Sequence, residues 1–124
     1  MRLLLDTHVI LWWLSDSPRL SDVMRALIRS EENELYVSMA TLWEIRVKEA
    51  LGKLAIPAEF RGDLAEQGIL ELSVSGEDTD VLATLPMHHR DPFDRLLIAQ
   101  AIRNSLTIVT ADSRISRYGV ATVG

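Results

Sequence analysis

The run Leu3-Leu4-Leu5 is apolar on three consecutive positions and then stops on an acid, Asp6. Successive side chains of a strand point to opposite faces. A strand reading this way, here Met1 to Leu5, therefore has no face suited to water and belongs in the middle of a sheet covered on both sides, the usual setting of a parallel sheet. Ile108-Val109, within a second short strand from Leu106 to Val109, makes the same demand near the other end of the chain.

Between these two strands the pattern alternates. A mostly apolar helix is predicted from about Thr7 to Leu14, and a second from Asp22 to Ser30 with Ser21 as its N-cap. Glu34 to Ser38 reads as a strand. Ala40 to Leu51 reads as a helix closed by Gly52, where a left-handed turn is favoured. Pro57 suits the first turn of a helix running to Gln67 and ending at Gly68. Ile69 to Val74 is expected to be a strand, Glu77 to Leu85 a helix stopped by Pro86, and Asp91-Pro92 the opening of a long helix to about Arg103. Val120 to Val123 is a final edge strand. Strands alternating with helices define an α/β class with right-handed crossovers. With no repeat, linker or low-complexity tract, residues 1–124 read as one domain, long enough to bury a core.

In sheets of this kind ligands bind beyond the carboxyl ends of the strands. Asp6 follows the first strand, and Asp112 follows Ile108-Val109 after Thr110-Ala111. Either acid is alternatively an N-cap for the segment after it. Asp94 is placed differently: it begins the stripe formed by Leu97, Ile98, Ala101 and Ile102, so it faces the protein and needs a partner there. A capping pattern with Asp91 is the competing account of Asp94, and it is the favoured account of Asp91 itself. Glu44 lies at the margin of a helix face made by Ala40, Trp43, Val47 and Leu51, a place where a solvated Glu is ordinary.

Together the four acids suit a hard divalent cation such as Mg²⁺, which takes oxygen ligands and keeps waters. Crowded carboxylates repel unless a cation intervenes, and a bound cation assists phosphodiester cleavage. No Gly-rich phosphate loop or HExxH zinc pattern is present. The absence of cysteine excludes disulfides and thiolate metal sites. His88, His89 and Arg90 precede the Asp94 helix and read as an exposed loop or a nucleic-acid contact in preference to metal ligands. His8 reads as a packed helix histidine, with a place lining the site as the alternative.

The chain carries 13 basic and 18 acidic residues, a net charge of −5, which at first opposes a nucleic-acid partner. Setting aside Asp6, Glu44, Asp94 and Asp112 leaves thirteen basic against fourteen acidic residues, a near balance. No signal peptide or membrane span is expected, which points to a soluble, cytoplasmic protein. Trp12, Trp13 and Trp43 suit either an interface or a core.

With these residues identified, the chain resembles the PIN-domain nucleases, and within them the VapC toxins of bacterial toxin–antitoxin pairs. Leu-Leu-Leu-Asp6-Thr7-His8 is similar to the family's opening strand and first acid. Thr41-Leu42-Trp43-Glu44-Ile45 resembles the second-acid helix, and Thr110-Ala111-Asp112 the last acid motif. The most specific segment runs from His89-Arg90-Asp91-Pro92-Phe93-Asp94 to Ala101. The resemblance implies a three-layer α/β/α sandwich around a parallel sheet of four to five strands, Mg²⁺ or Mn²⁺ as cofactor, and endonucleolytic cleavage of RNA. It implies an acidic site of Asp6, Glu44, Asp94 and Asp112, supported by Thr7 and Thr110, with Asp91 belonging to the motif. It also implies a homodimer and an inhibitory antitoxin, which would insert a basic side chain among the acids. Arg90, Arg95 and Arg114 are candidates to grip flanking phosphates, with a solvated face as the alternative for each. Two other readings compete. A phosphoacceptor receiver domain would need paired acids at the first strand and a Lys after a late strand, whereas both lysines here are Lys48 and Lys53. A non-catalytic binding module of the same fold would gain no stability from Mg²⁺ or Mn²⁺.

Overall fold

The computed structural model describes residues 1–124. The elements in chain order are β1 (Arg2–Leu5), α1 (Thr7–Leu14), α2 (Asp22–Arg29), β2 (Glu34–Ser38), α3 (Met39–Ala50), α4 (Phe60–Glu66), β3 (Ile69–Leu72), α5 (Gly76–Thr84), α6 (Pro92–Asn104), β4 (Thr107–Val109), α7 (Ser113–Ser116) and β5 (Thr122–Val123). The five strands form one parallel sheet in the order β3-β2-β1-β4-β5. Helices cover both faces, giving the α/β/α sandwich.

The all-apolar first strand lies at the centre, as its pattern requires. Leu3 and Leu5 enter one core with Val9, Ile10, Met24, Val37, Ile45, Phe60 and Leu64. Leu4, one residue out of phase, enters the opposite core with Leu97, Ile98, Ala101, Ile108 and Ile115. All three leucines are fully buried. Each fully buried Leu contributes about 1.5–3 kcal/mol, so this strand alone commits the chain to two helical layers.

Local signals set most boundaries. Ser21 Oγ accepts from Met24 N–H at 3.1 Å, and Gly52 and Gly68 hold positive φ just past their helices. Several boundaries differ from the sequence expectation. α4 begins at Phe60 and not at Pro57, because residues 57–59 form a turn closed by Phe60 N–H on Pro57 C=O. β3 ends at Leu72 and not at Val74, because its only partner, β2, ends at Ser38, which is paired with Leu72. The short helix α7 falls between two predicted strands and is nucleated by Asp112.

Helix α3 is rotated relative to the expected face. Thr41, Leu42, Glu44 and Ile45 are buried, while Trp43 and Leu51 are 62% and 63% exposed. Hydrophobicity misled here because the buried face carries polar residues with partners of their own. Ile102 likewise lies outside the buried stripe of α6, at 42% exposure.

Two polar ties fix α6, one to the sheet and one to α5. Buried Gln100 accepts from Ser38 Oγ at 2.6 Å and donates to Ser73 C=O at 3.3 Å. Fully buried Asp78 accepts from Ser75 N–H at 2.8 Å and from Arg103 Nε at 2.5 Å, joining α5 to α6. No helix is long and apolar enough to cross a membrane.

Candidate metal centre

β1 is flanked by β2, which follows it in the chain, and by β4, which returns from the far end. The strand order therefore reverses direction between β1 and β4, and the crevice beyond their carboxyl ends is where such sheets bind ligands. Asp6 leaves β1 at that point, with its N–H still on Val109 C=O at 3.0 Å. It occupies the N-cap position of α1, yet its side chain makes no capping bond. Its Oδ2 instead accepts from Thr110 Oγ1 at 2.7 Å. Its Oδ1 is buried with no partner at all.

The neighbouring acids are each held by a different device. Glu44 is 3% exposed. Its Oε1 accepts from Thr7 Oγ1 at 2.8 Å, and its Oε2 pairs with Lys48 Nζ at 2.8 Å, one helical turn on. Because the Thr7 proton goes to Glu44, Thr41 Oγ1 donates to Thr7 Oγ1, 3.0 Å away. Asp94 is buried at the first turn of α6. Its Oδ2 lies 2.9 Å from His89 Nε2, which is 3.2 Å from Asp112 Oδ2. Asp112 both caps α7, accepting from Arg114 N–H at 2.9 Å, and carries the Arg114 guanidinium, Nε at 3.1 Å and Nη2 at 3.0 Å. Its own N–H donates to Thr110 Oγ1 at 3.0 Å, so one threonine links Asp6 and Asp112.

The electrostatics follow from these contacts. Burial pushes the Asp94 carboxyl up to about 8, reinforced by the charges of Asp6, Asp91, Glu44 and Asp112. Burial also raises Asp6, against the lowering effect of the Thr110 hydrogen bond. Asp112 is pulled down to about 2, first by its hydrogen bond from Arg114. Asp6, Glu44 and Asp112 thus all lie within electrostatic reach of Asp94.

A divalent cation fits this arrangement. Carboxylate oxygens dominate it, with the His89 ring nitrogen among them; one buried carboxylate oxygen lacks any partner, and a second carboxyl is held protonated by burial and by the negative charge nearby. The Asp94 and Asp112 oxygens that converge with His89 could hold the cation, and Asp6 and Glu44 are close enough for their charges to act on Asp94. A cleft of about 270 Å³ lined by Asp6, His8, Trp12, Arg19, Ala111 and Asp112 opens on the site.

These shifts carry a pH dependence whose sign can be worked out. Asp94 ionises near 3.8 when unfolded and near 8 when folded. Between those values the native state holds the extra proton, so its stability falls as pH rises from about 4 to about 8. Asp6, also raised, acts in the same direction. Asp112 acts oppositely: its contribution is present above 3.8 and is lost as pH falls through about 2. Urea denaturation in a chelator is expected to show stability declining from pH 5 to pH 8.5, with added Mg²⁺ restoring more at pH 8.5 than at pH 5. A flat profile would contradict the crowded, buried acids.

Two histidines differ from expectation. His89 is 5% exposed; its N–H donates to Tyr118 Oη at 2.8 Å and its Nδ1 accepts from Asp91 N–H at 3.1 Å. Residues 88–90 form a loop with His88 and Arg90 exposed, as expected; His89 alone is buried, against its partner Tyr118, 29 residues away. His8 is exposed at the cleft and not packed inside. Asp91 does cap α6, accepting from Phe93 and Asp94 N–H at 2.9 and 3.4 Å. Among the arginines, Arg90 is exposed, Arg95 is engaged by Pro86 C=O and Tyr118 Oη, and Arg114 by Asp112. Sequence reasoning missed Thr41 and Lys48, although their spacing of three and four residues from Glu44 on one helix was a usable signal.

The chain matches the PIN domain family over residues 3–121. It is 31% identical over 119 residues to Ribonuclease VapC22 of Mycobacterium tuberculosis, covering 93% of this chain and 90% of that protein. Among solved structures it is similar to VapBC2 from Rickettsia felis bound to a promoter DNA fragment, at a TM-score of 0.75 and 16% identity over 99% of this chain and 98% of that one. It is also similar to VapBC-5 of Mycobacterium tuberculosis, from the VapBC family of toxin-antitoxin systems, at a TM-score of 0.59 and 20% identity over 98% and 95% of the two chains. The end-to-end match places the sheet, its strand-end acids and the helix that carries Asp94 inside one family frame: this chain belongs to the PIN domain family.

Proposed function

We propose that residues 1–124 form one PIN domain acting as a metal-dependent endoribonuclease, with Asp6, Glu44, Asp94 and Asp112 as its catalytic and metal-holding residues and Mg²⁺ or Mn²⁺ as cofactor. The observation that carries this reading is the buried, unpartnered Oδ1 of Asp6, whose charge bears on the buried carboxyl of Asp94. Leaving such an atom unsatisfied costs about 1–3 kcal/mol, a cost that a cation removes. The ribonuclease name of the 31%-identical relative supports RNA as the substrate.

When bound, the cation supplies Lewis acidity and a counter-charge for the phosphate under attack. The chain's own residues do the rest. Asp6, held by Thr110, and Asp112, held by Arg114, present oxygens from the ends of adjacent strands. Asp94 would hold the cation as a carboxylate, its proton passing to solvent. Glu44, fixed by Thr7 and Lys48, orients the attacking water. Arg90 is exposed and able to meet a flanking phosphate; Arg95 and Arg114 reach one only while keeping or exchanging their present partners.

The toxin-antitoxin context of the similar solved structures supports a cognate antitoxin partner; the proposal adds that this partner inhibits the enzyme and that the enzyme works as a cytoplasmic homodimer away from membranes. The test is cleavage of labelled single-stranded RNA. Cutting is expected with Mg²⁺ and not in chelator, and Asp6→Asn is expected to lose on the order of 10²–10³-fold. Sequencing RNA ends after brief induction, beside the same variant, would identify the targets. Unimpaired cleavage by Asp6→Asn would sink the proposal.

A further inference from the structure

His89 Nε2 and oxygens of Asp94 and Asp112 lie within 4.8 Å of one another, and at face value they make a mixed nitrogen and oxygen metal site. The other ring nitrogen contradicts that reading. Asp91 N–H points at Nδ1 from 3.1 Å, so Nδ1 must offer its lone pair. An imidazole that accepts at one nitrogen carries its proton on the other. Nε2 is therefore an N–H, and it faces the two carboxylates as a donor. Its directional hydrogen bond runs to Asp112 Oδ2 at 3.2 Å, with Asp94 Oδ2 in contact at 2.9 Å.

For Nε2 to coordinate a cation, the ring proton would have to move to Nδ1, opposite the donor N–H of Asp91. That N–H has little freedom to turn away. Asp91 precedes Pro92, which restricts its backbone, and its side chain caps α6 through Phe93 and Asp94. The His89 backbone is itself held by Tyr118 Oη at 2.8 Å. On the far side, Asp112 Oδ2 also accepts from Arg114 Nη2 at 3.0 Å, so the carboxylate is gripped between two donors.

We infer that His89 is a positioning residue, whose Nε2–H sets the separation of the Asp94 and Asp112 carboxylates for a divalent cation without itself ligating it. The inference rests on the metal-dependent reading above and deepens it: the ligand set is oxygen only, and the histidine inside the cluster serves as a rigid spacer bearing one proton. Groups that orient ligands in this way typically change metal affinity about 10–100-fold when removed.

The experiment is a Mn²⁺ titration of the full chain followed by electron paramagnetic resonance, with ¹⁵N NMR of the histidine rings. His89→Ala is expected to bind Mn²⁺ about 10–100-fold more weakly. His89→Gln, which keeps an N–H near the Nε2 position, is expected to recover most of the loss. The wild-type ring is expected to show a protonated Nε2 and an unprotonated Nδ1, both without metal and with Mg²⁺. A ¹⁴N coupling from a directly bound ring, a proton on Nδ1 in the loaded protein, or unchanged affinity in His89→Ala would each overturn the assignment. If His89→Ala does not fold, the wild-type ring spectra still decide. Wild-type protein that binds no Mn²⁺ at all would instead overturn the metal reading.

Discussion

Replacing Asp94 by Asn is expected to abolish RNA cleavage and, in the same protein, to raise the stability of the metal-free fold. Both effects come from one buried carboxyl whose pKa is pushed to about 8 by burial and by four neighbouring acids. Asn keeps the shape and removes the ionisable group, so the folded state at pH 8 no longer confines a charge there. The gain is expected to be about 1–3 kcal/mol, the usual cost of burying a poorly compensated polar group. Cleavage should fall on the order of 10³-fold, the scale seen when one electrostatic contributor to a transition state is lost. Denaturation in chelator at pH 5 and pH 8 would reveal the first effect as a gain that is larger at the higher pH. Activity retained alongside that gain would separate Asp94 from catalysis.

Phe60→Ala should produce the mirror image. Phe60 is a large, fully buried side chain at the start of α4, and the Arg46 guanidinium of α3 lies 4.6 Å from its ring centroid. Truncating a buried Phe costs about 3–5 kcal/mol, enough to lower the melting temperature of a chain this size by roughly 10–20 °C. No acid of the cluster contacts this ring, so cleavage per folded molecule at 20 °C should stay near wild type. A large loss of activity in molecules shown to be folded would mean that α3 transmits strain from Arg46 to Glu44. The two variants together separate what holds the chain up from what the acids do.

How much of this was legible in the sequence depended on whether the signal was local. Leu3-Leu4-Leu5 fixed the centre of the sheet because three consecutive apolar residues leave a strand no wet face. Asp94 was visible because it interrupts a helical stripe on its buried side. Asp6 and Asp112 were visible as strand-end acids, but the choice between capping and clustering was not. The structure resolves it differently for each: Asp112 caps and joins the cluster, whereas Asp6 does not cap at all. Glu44 was misjudged because its burial depends on Thr7, 37 residues away, and on Lys48, a cation that offsets it. His89 was misjudged for a related reason, since its burial is decided by Tyr118 and by acids on other elements. Contacts made across the sheet leave no period in the sequence for a reader to find.

The bond from Thr110 to Asp6 spans 104 residues, and it has a consequence for the order of events during synthesis. Asp6 is made 104 residues before its threonine, and Asp112 follows that threonine by two. Until β4 emerges and slots in beside β1, the cluster is missing one wall and Asp94 faces a sheet only half built. A nascent chain of this protein therefore carries three of the four acids without a finished site. The site is finished only once β4 has been made and has paired with β1.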